Sequence, residues 1–200
     1  MHIKRSMNQS QQTMTISTQA MQEGFLEIWI GPMFSGKTSK LIEIYKKYAY
    51  IGKKTLVINY AEDTRYHETM LSTHDNTMVP CLQTLQLSSI HDELLDADVI
   101  FINEGQFFQD LFSIVVELVD LHRKHVYISA LDGDFLRQRF GQVLDLIPHC
   151  NVVTKMSALC AECKNGKAAC FSHRLTSEIG QVVIGSDNYV PLCRSCYLAH

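Results

Sequence analysis

Eight consecutive residues near the start of the chain have the types and spacing of a phosphate-binding loop. In this pattern, G-x-x-x-x-G-K-[ST], backbone N–H groups surround a phosphate, the lysine reaches the β- and γ-phosphates, and the last hydroxyl ligates Mg²⁺. An apolar stretch precedes the residues and a helical period follows them, which is the context that the motif requires. The sequence therefore predicts a nucleoside-triphosphate site with Mg²⁺ at Gly31, Pro32, Met33, Phe34, Ser35, Gly36, Lys37 and Thr38.

A second polar group follows the apolar residues 99–102. In phosphate-loop proteins a metal-positioning acid and a residue that activates the attacking group project from such a strand end. Glu104 is the only carboxylate between Asn103 and Gln106, so we expect it to act as a general base on the attacking oxygen. The alternative is that Asn103 and Glu104 merely begin a turn.

Two Cys-x-x-Cys pairs bracket a segment near the end of the chain. Cys160 and Cys163 form the first pair, Cys193 and Cys196 form the second, and 29 residues separate them. Four cysteines in this form are typical of a closed, structural Zn²⁺ site. The alternatives are a redox pair, which would leave the second pair unexplained, and disulfides. The remaining cysteines lack this spacing, and we expect them to be buried apolar thiols: Cys81, Cys150 and Cys170.

Short apolar runs alternate with helical periods through the middle of the chain. Strands are predicted at residues 25–30, 55–60, 99–102, 126–130 and 152–156, and helices at 38–51, 88–95 and 110–122, with a polar loop at 61–79. This alternation favours an α/β fold with a parallel sheet that is buried on both faces. We predict a disordered tail at residues 1–23, a core at 24–156 and a small cysteine module at 157–200.

Composition excludes several classes of protein. The net charge of −3 and the isoelectric point near 6.3 favour neither nucleic acid nor anionic membrane as a partner. The apolar runs fall short of the roughly 18 residues of a membrane span. Seven cysteines are an odd number, and the polar N-terminal residues lack the apolar core of a signal peptide, so we expect a cytoplasmic protein.

The motifs together resemble the type II thymidine kinases, a family with cellular, bacterial and viral members. The similar stretches are GPMFSGKT, YAEDTRYH, FINEGQFF, LDGDF, CAEC and VIGSDNYVPLCRSC, within residues 25–197. The resemblance implies transfer of the γ-phosphoryl group of ATP to the 5′-hydroxyl of thymidine, giving dTMP. It also implies a RecA-like core, a zinc-anchored lasso loop that closes over the nucleoside, a homotetramer, and feedback inhibition by dTTP.

The same resemblance assigns roles to individual residues of this chain. Glu104 matches the family's catalytic base. The ATP site gains Asp63, Thr64, Arg65, Asn103 and Gln106 beside the phosphate loop. The nucleoside site is expected at Met33, Phe107, Leu131, Phe135, Tyr189 and the lasso residues Gln181, Val182, Val183, Ile184 and Gly185. Ser172 stands at a place where the family often has threonine.

One departure from the family concerns Asn103. The family usually has Asp-Glu-Gly-Gln where this chain has Asn103, Glu104, Gly105 and Gln106. An amide oxygen can still accept from a metal-bound water, but a negative charge beside Mg²⁺ is lost. We therefore expect the change to affect magnesium affinity more than catalysis.

Two other functions fit parts of this pattern. A nucleoside monophosphate kinase with a zinc lid would use arginines to clamp the acceptor phosphate. A nucleic-acid-binding ATPase would use the cysteine module as its reader, which is mildly basic at Lys164, Lys167, Arg174 and Arg194. A few basic residues in a small surface module of this kind are more typical of a solvated face.

Overall fold

The computed structural model describes residues 23–62, 70–72, 77–183, 185 and 187–200. The strands are β1 (Phe25–Ile30), β2 (Thr55–Tyr60), β3 (Met70–Ser72), β4 (Met78–Pro80), β5 (Leu82–Thr84), β6 (Val99–Ile102), β7 (His125–Ala130), β8 (Val152–Lys155), β9 (Ala158–Leu159), β10 (Ala168–Ala169), β11 (Phe171–Arg174) and β12 (Tyr189–Leu192). The α-helices are α1 (Lys37–Tyr50), α2 (His91–Asp96), α3 (Leu111–Val116) and α4 (Arg194–Ala199). Shorter 3₁₀ turns lie at Leu87–Ile90, Gly105–Phe107 and Val143–His149, and a π-helical turn lies at Glu117–Leu121.

A six-stranded sheet in the order β5-β2-β6-β7-β1-β8 forms the centre of the fold, and every neighbouring pair is parallel. All four residues of β6 are buried, as an apolar run between two helical layers requires. Because parallel strands place their carboxyl ends on one edge, the residues after β1, β2, β6 and β7 come together there. The predicted α/β fold with a buried parallel sheet is confirmed.

Alternating side chains of the strands feed two separate apolar layers. Ile28, Ile100 and Ile128 pack on one face, together with side chains of α2, α3 and the turn Val143–His149. On the other face Phe101 and Tyr127 stack with ring centroids 5.2 Å apart and pack with residues of α1. Burial of both faces holds the carboxyl edge of the sheet in one arrangement.

The C-terminal residues form a smaller unit of two antiparallel strand pairs and α4. Strand β9 pairs with β10 and β11 pairs with β12, around a small core that includes Cys160, Cys193 and Leu192. The segment between the two cysteine pairs thus contains the hairpin of β11 and β12. Residues 1–22 lie outside the described residues, and the division at 156 and 157 remains a prediction.

Several predicted elements differ from the observed ones. The polar loop at 61–79 contains β3 and part of β4, and β5 was not predicted, because three-residue strands are too short to show a period. The helix expected at 110–122 is α-helical only to Val116 and then widens into the π-helical turn. Cys81, Cys150 and Cys170 are half-buried rather than buried, although burial raises the pKa of Cys81 to about 11. Across the described ranges, no helix has the length and apolar character needed to cross a membrane.

Candidate active site

A cavity of about 360 Å³ opens at the carboxyl edge of the sheet. It brings together residues from the phosphate loop, the end of β6, the segment after β7, and the loop between β11 and β12. The predicted site residues that line it are Met33, Phe34, Ser35, Gly36, Lys37, Thr38, Asn103, Glu104, Gln106, Phe107, Leu131, Phe135, Gln181, Val182, Val183, Gly185 and Tyr189. Stretches far apart in the sequence thus form one site.

The phosphate loop connects β1 to α1, as its motif predicts. Gly31 has φ 148°, and a Cβ there would lie 2.4 Å from the carbonyl oxygen of Met156, so only glycine fits. Ser35 Oγ and Lys37 Nζ donate to the Pro32 carbonyl at 2.8 and 2.7 Å. Gly31 and Pro32, the first two residues of the loop, are buried and do not line the cavity. The loop therefore presents its later residues and the N-terminus of α1 to the cavity.

Asn103 is the centre of a buried polar network beside the loop. Its Oδ1 accepts from the hydroxyls of Thr38 and Ser129 at 3.2 and 2.7 Å, and its Nδ2 donates to Asn59 Oδ1 at 2.9 Å. Asn103 is 2% exposed. Asn59 Oδ1 is an acceptor, so the amide nitrogen of Asn103 must face it. The amide oxygen of Asn103 therefore faces Thr38. Two neutral oxygens, those of Thr38 and Asn103, consequently lie next to the phosphate loop.

Glu104 lies at the strand end in a left-handed backbone conformation, with φ 53°. Such a conformation is uncommon for a residue other than glycine, and it occurs both in turns and at functional sites. Gln106 Nε2 donates to Glu104 Oε2 at 2.6 Å, while Gln106 Oε1 accepts from the Leu131 N–H at 3.0 Å. Gln106 is fully buried, and it holds the carboxylate of Glu104, which lines the cavity. Glu104 thus precedes the turn Gly105–Phe107 and also lines the cavity, and its role as a base stays a prediction.

Strand β11 and the loop between β11 and β12 both contact the core. The Met33 N–H donates to Ser172 Oγ at 2.9 Å, so β11 lies directly on the phosphate loop. Gln181 Nε2 donates to Asp134 Oδ2 at 2.8 Å, while Asp134 Oδ1 accepts two backbone N–H groups of its own turn. These contacts hold the loop across the mouth of the cavity.

The two cysteine pairs meet in space. The four sulfur atoms of Cys160, Cys163, Cys193 and Cys196 all lie within 4.8 Å of one another. Cys163 Sγ lies 3.8 Å from Cys193 Sγ and 3.4 Å from Cys196 Sγ. A tetrahedral site with Zn–S bonds of about 2.3 Å needs sulfur atoms about 3.8 Å apart, so the cluster fits zinc. Backbone N–H groups of Cys163 and Cys193 lower the pKa of Cys160, whereas the neighbouring Cys163 thiol raises the pKa of Cys196, so the sulfur atoms share their protons unequally while no metal is bound.

A family model confirms what these motifs suggest. The model described as thymidine kinase matches residues 24–197. The chain belongs to the thymidine kinase family. The thymidine kinase of sheeppox virus is 40% identical over 178 residues, which are 88% of this chain and 98% of that protein. The thymidine kinase of Yaba monkey tumor virus is 41% identical over 180 residues, or 88% of this chain and 96% of that protein.

A cellular relative is nearly as similar. The cytosolic thymidine kinase of Gallus gallus is 37% identical over 175 residues, which are 87% of this chain and 77% of that protein. Among solved structures, a DNA replication initiation factor matches 66% of this chain and 40% of that chain, with 12% identity and a TM-score of 0.44. That last likeness is too distant to contribute to the argument.

Several residues that line this thymidine kinase cavity were not predicted. They include Tyr60, Phe140, Asp134, Glu62 and Gln109. Tyr60 stacks on Phe107 with ring centroids 5.0 Å apart, and Phe107 meets Phe140 edge to face at 5.4 Å. A sequence signal existed for Tyr60, which ends a strand beside β6, but Phe140 follows no motif. Its position depends on Gly141, where a Cβ would lie 2.1 Å from the Gln106 carbonyl oxygen.

Four predicted site residues lie outside the described residues: Asp63, Thr64, Arg65 and Ile184. Their roles stay predictions, as do the individual roles of the residues that line the cavity. Arg174 corrects an expectation, because it is buried and not part of a solvated face.

Proposed function

We propose that this protein transfers the γ-phosphoryl group of ATP to the 5′-hydroxyl of thymidine, giving dTMP. The observation that carries the proposal is one cavity shared by the phosphate loop, the carboxylate of Glu104 and an aromatic wall, in a chain of the thymidine kinase family. Phosphoryl transfer depends mostly on positioning and on neutralising charge, and these groups supply both.

Gly31 through Thr38 would hold the triphosphate. Backbone N–H groups at the start of α1 favour anionic oxygens, and Lys37 adds a positive charge beside them. Thr38 Oγ1 and Asn103 Oδ1 are hard oxygen donors 3.2 Å apart, a donor set that suits Mg²⁺. When bound with ATP, Mg²⁺ would supply further neutralisation of the phosphate charge.

Glu104 would take the proton of the 5′-hydroxyl. Its carboxylate is held by Gln106, whose own amide is fixed by the Leu131 backbone, so the base is oriented before substrate binds. The loop between β11 and β12, which we call the lasso, would exclude water from the cavity. Water could otherwise accept the phosphoryl group. The cysteine cluster, holding structural Zn²⁺, would anchor both ends of the hairpin that carries this lasso.

The acceptor is proposed to be a nucleoside and not a nucleotide. Among the described residues that line the cavity, Lys37 is the one cationic side chain, and no arginine is present to clamp an acceptor phosphate. The test measures ADP release from ATP by the purified protein with thymidine or dTMP as acceptor. We expect turnover with thymidine; turnover with dTMP alone would instead favour the monophosphate kinase.

Other properties of the family are proposed with less structural support. They are a homotetramer, inhibition by dTTP and a cytoplasmic location, the last in keeping with the cytosolic relative from Gallus gallus. Sedimentation velocity and a dTTP titration of the activity test the first two. A role in nucleic-acid binding is disfavoured, because Arg174, one of the four basic residues of the module, is buried.

A further inference from the structure

Arg174 is a buried cation without a carboxylate partner in the described part of the chain. It ends β11 and is 5% exposed. Buried arginines are usually paired with a carboxylate, since removing a charge from water is unfavourable. Here its hydrogen-bond partners are all carbonyl and hydroxyl oxygens. Its surroundings therefore use the geometry of the guanidinium group and not its ability to neutralise an acid.

Three of those partners are backbone carbonyls of the lasso. Nη1 donates to the carbonyls of Glu178 and Gly180 at 2.7 and 2.6 Å, and Nη2 donates to the Gln181 carbonyl at 2.9 Å. Guanidinium N–H groups point in fixed directions, so the three carbonyls must converge on it. Lysine could not satisfy this set, because its three donors leave from a single nitrogen.

The Tyr189 hydroxyl extends the same network toward the cavity. It accepts from Arg174 Nε and Nη2 at 3.2 and 2.7 Å, and it donates to the Val183 carbonyl at 3.2 Å. Because two N–H groups occupy its acceptor side, its own proton is directed to Val183. Strand pairing supports this arrangement, since Arg174 and Tyr189 are register partners in β11 and β12.

Hydrophobic burial contributes little to the order of the lasso. Ile179 is 93% exposed, and Leu175 and Val182 are also exposed. Fixing such a segment carries a cost in conformational entropy that apolar contacts do not offset here. The hydrogen bonds to Arg174 and the contact between Gln181 and Asp134 replace those apolar contacts.

Arg174 also contacts the aromatic wall of the cavity. Its guanidinium carbon lies 3.6 Å from the centroid of the Phe135 ring, a close cation–π contact. Phe135 and Tyr189 both line the cavity. One side chain thus holds the lasso backbone and a wall of the pocket at the same time.

We infer that Arg174 is the positioning residue of the lasso, which holds residues 178–183 and Phe135 in the arrangement that closes the nucleoside half of the cavity. The identity of the nucleoside rests on the proposed function, whereas the order of the lasso does not. Replacing Arg174 should therefore loosen the lasso whether or not thymidine is the substrate. If the proposed function holds, the replacement should also weaken thymidine binding.

The test compares Arg174→Met with Arg174→Lys, and uses Arg137→Met as the matched control. Methionine keeps much of the stem but removes the charge and the donors, while lysine keeps the charge. Arg137 is exposed and lies over the rings of Tyr197 and Phe171, at 4.7 and 5.5 Å, outside the cavity lining. Zinc content and ATP affinity of each purified variant report whether the module and the core are folded.

The first measurement is amide hydrogen exchange of residues 175–183, which requires no knowledge of the substrate. We expect exchange at least about tenfold faster in Arg174→Met, a smaller increase in Arg174→Lys and no change in Arg137→Met. Unchanged exchange in Arg174→Met would overturn the inference. If Arg174→Met does not fold, Arg174→Lys takes its place: exchange at the wild-type rate in Arg174→Lys would overturn the inference.

The second measurement is steady-state kinetics with thymidine and ATP. We expect the thymidine KM of Arg174→Met to rise about tenfold or more, with kcat and the ATP KM within about threefold of wild type. A fall in kcat with an unchanged thymidine KM would contradict a positioning role in nucleoside binding. Failure of the wild-type protein to phosphorylate thymidine would refute the proposed function, and the exchange result would still decide the role of Arg174.

Discussion

The hydroxyl of Thr38 donates to Oδ1 of Asn103 at 3.2 Å, across 65 positions of the sequence. This contact joins the phosphate loop to the end of β6, where the resemblance described above leads us to expect an aspartate. Asn59 fixes the orientation of the amide from the other side. Compared with an aspartate, the amide of Asn103 still presents an oxygen to Thr38 but lacks the negative charge.

Asn103→Asp should lower the concentration of Mg²⁺ needed for half-maximal activity. A carboxylate beside Thr38 restores a negative charge close to the divalent ion, and an affinity gain of up to about tenfold corresponds to about 1.4 kcal/mol. The thymidine KM should change little. Magnesium titrations of both proteins at fixed ATP and thymidine measure this, and superimposable curves would show that position 103 does not affect the metal.

Glu104→Gln should reduce kcat by about 10²–10⁴ and leave the KM values for ATP and thymidine near those of wild type. Glutamine keeps the shape of the side chain beside Gln106 but cannot take a proton from the 5′-hydroxyl. Asp132→Asn is the control, since Asp132 pairs with Lys155 outside the cavity lining. A loss of less than about fivefold in Glu104→Gln would place the base elsewhere, with Asp63 as the next candidate.

Cys193→Ala should lose zinc and thymidine binding together while ATP binding remains. Cys193 is buried within the sulfur cluster, and its removal opens the anchor at the base of the lasso without touching the parallel sheet. Cys170→Ala is the control within the same module, because Cys170 lies outside the cluster. Elemental analysis and ATP titrations test both variants. Wild-type protein without stoichiometric zinc would remove the basis of this prediction.

Tyr48→Phe should lower the free energy of unfolding by about 1–2 kcal/mol without changing the thymidine or ATP KM. The Tyr48 hydroxyl shares a hydrogen bond of 2.8 Å with the hydroxyl of Tyr127, which is buried between α1 and the sheet. Burial also raises the pKa of Tyr127, so its hydroxyl remains neutral at any physiological pH. Tyr45→Phe is the comparison, expected within about 0.5 kcal/mol of wild type in urea denaturation. Equal destabilisation by both changes would contradict a role for the hydroxyl pair.

Features encoded by local pattern could be predicted from the sequence. The predicted strands 25–30, 55–60 and 99–102 coincide with β1, β2 and β6, because buried parallel strands are continuous apolar runs. The phosphate loop and the cysteine pairs were predictable for a related reason. Their chemistry requires particular residue types at fixed short spacings, and such spacings survive in any arrangement of the rest of the chain.

Features that depend on strand order and on close approach were decided by the tertiary structure. Asn59 and Ser129 join the Asn103 network only because β2, β6 and β7 are neighbours in the sheet. Phe140 reaches the cavity only because Gly141 lies against the Gln106 backbone. Arg174 gives the clearest case, since four basic residues in the cysteine module suggested charges on a solvated face. The pairing of β11 with β12 turns it inward, where the lasso carbonyls compensate for the water that it loses.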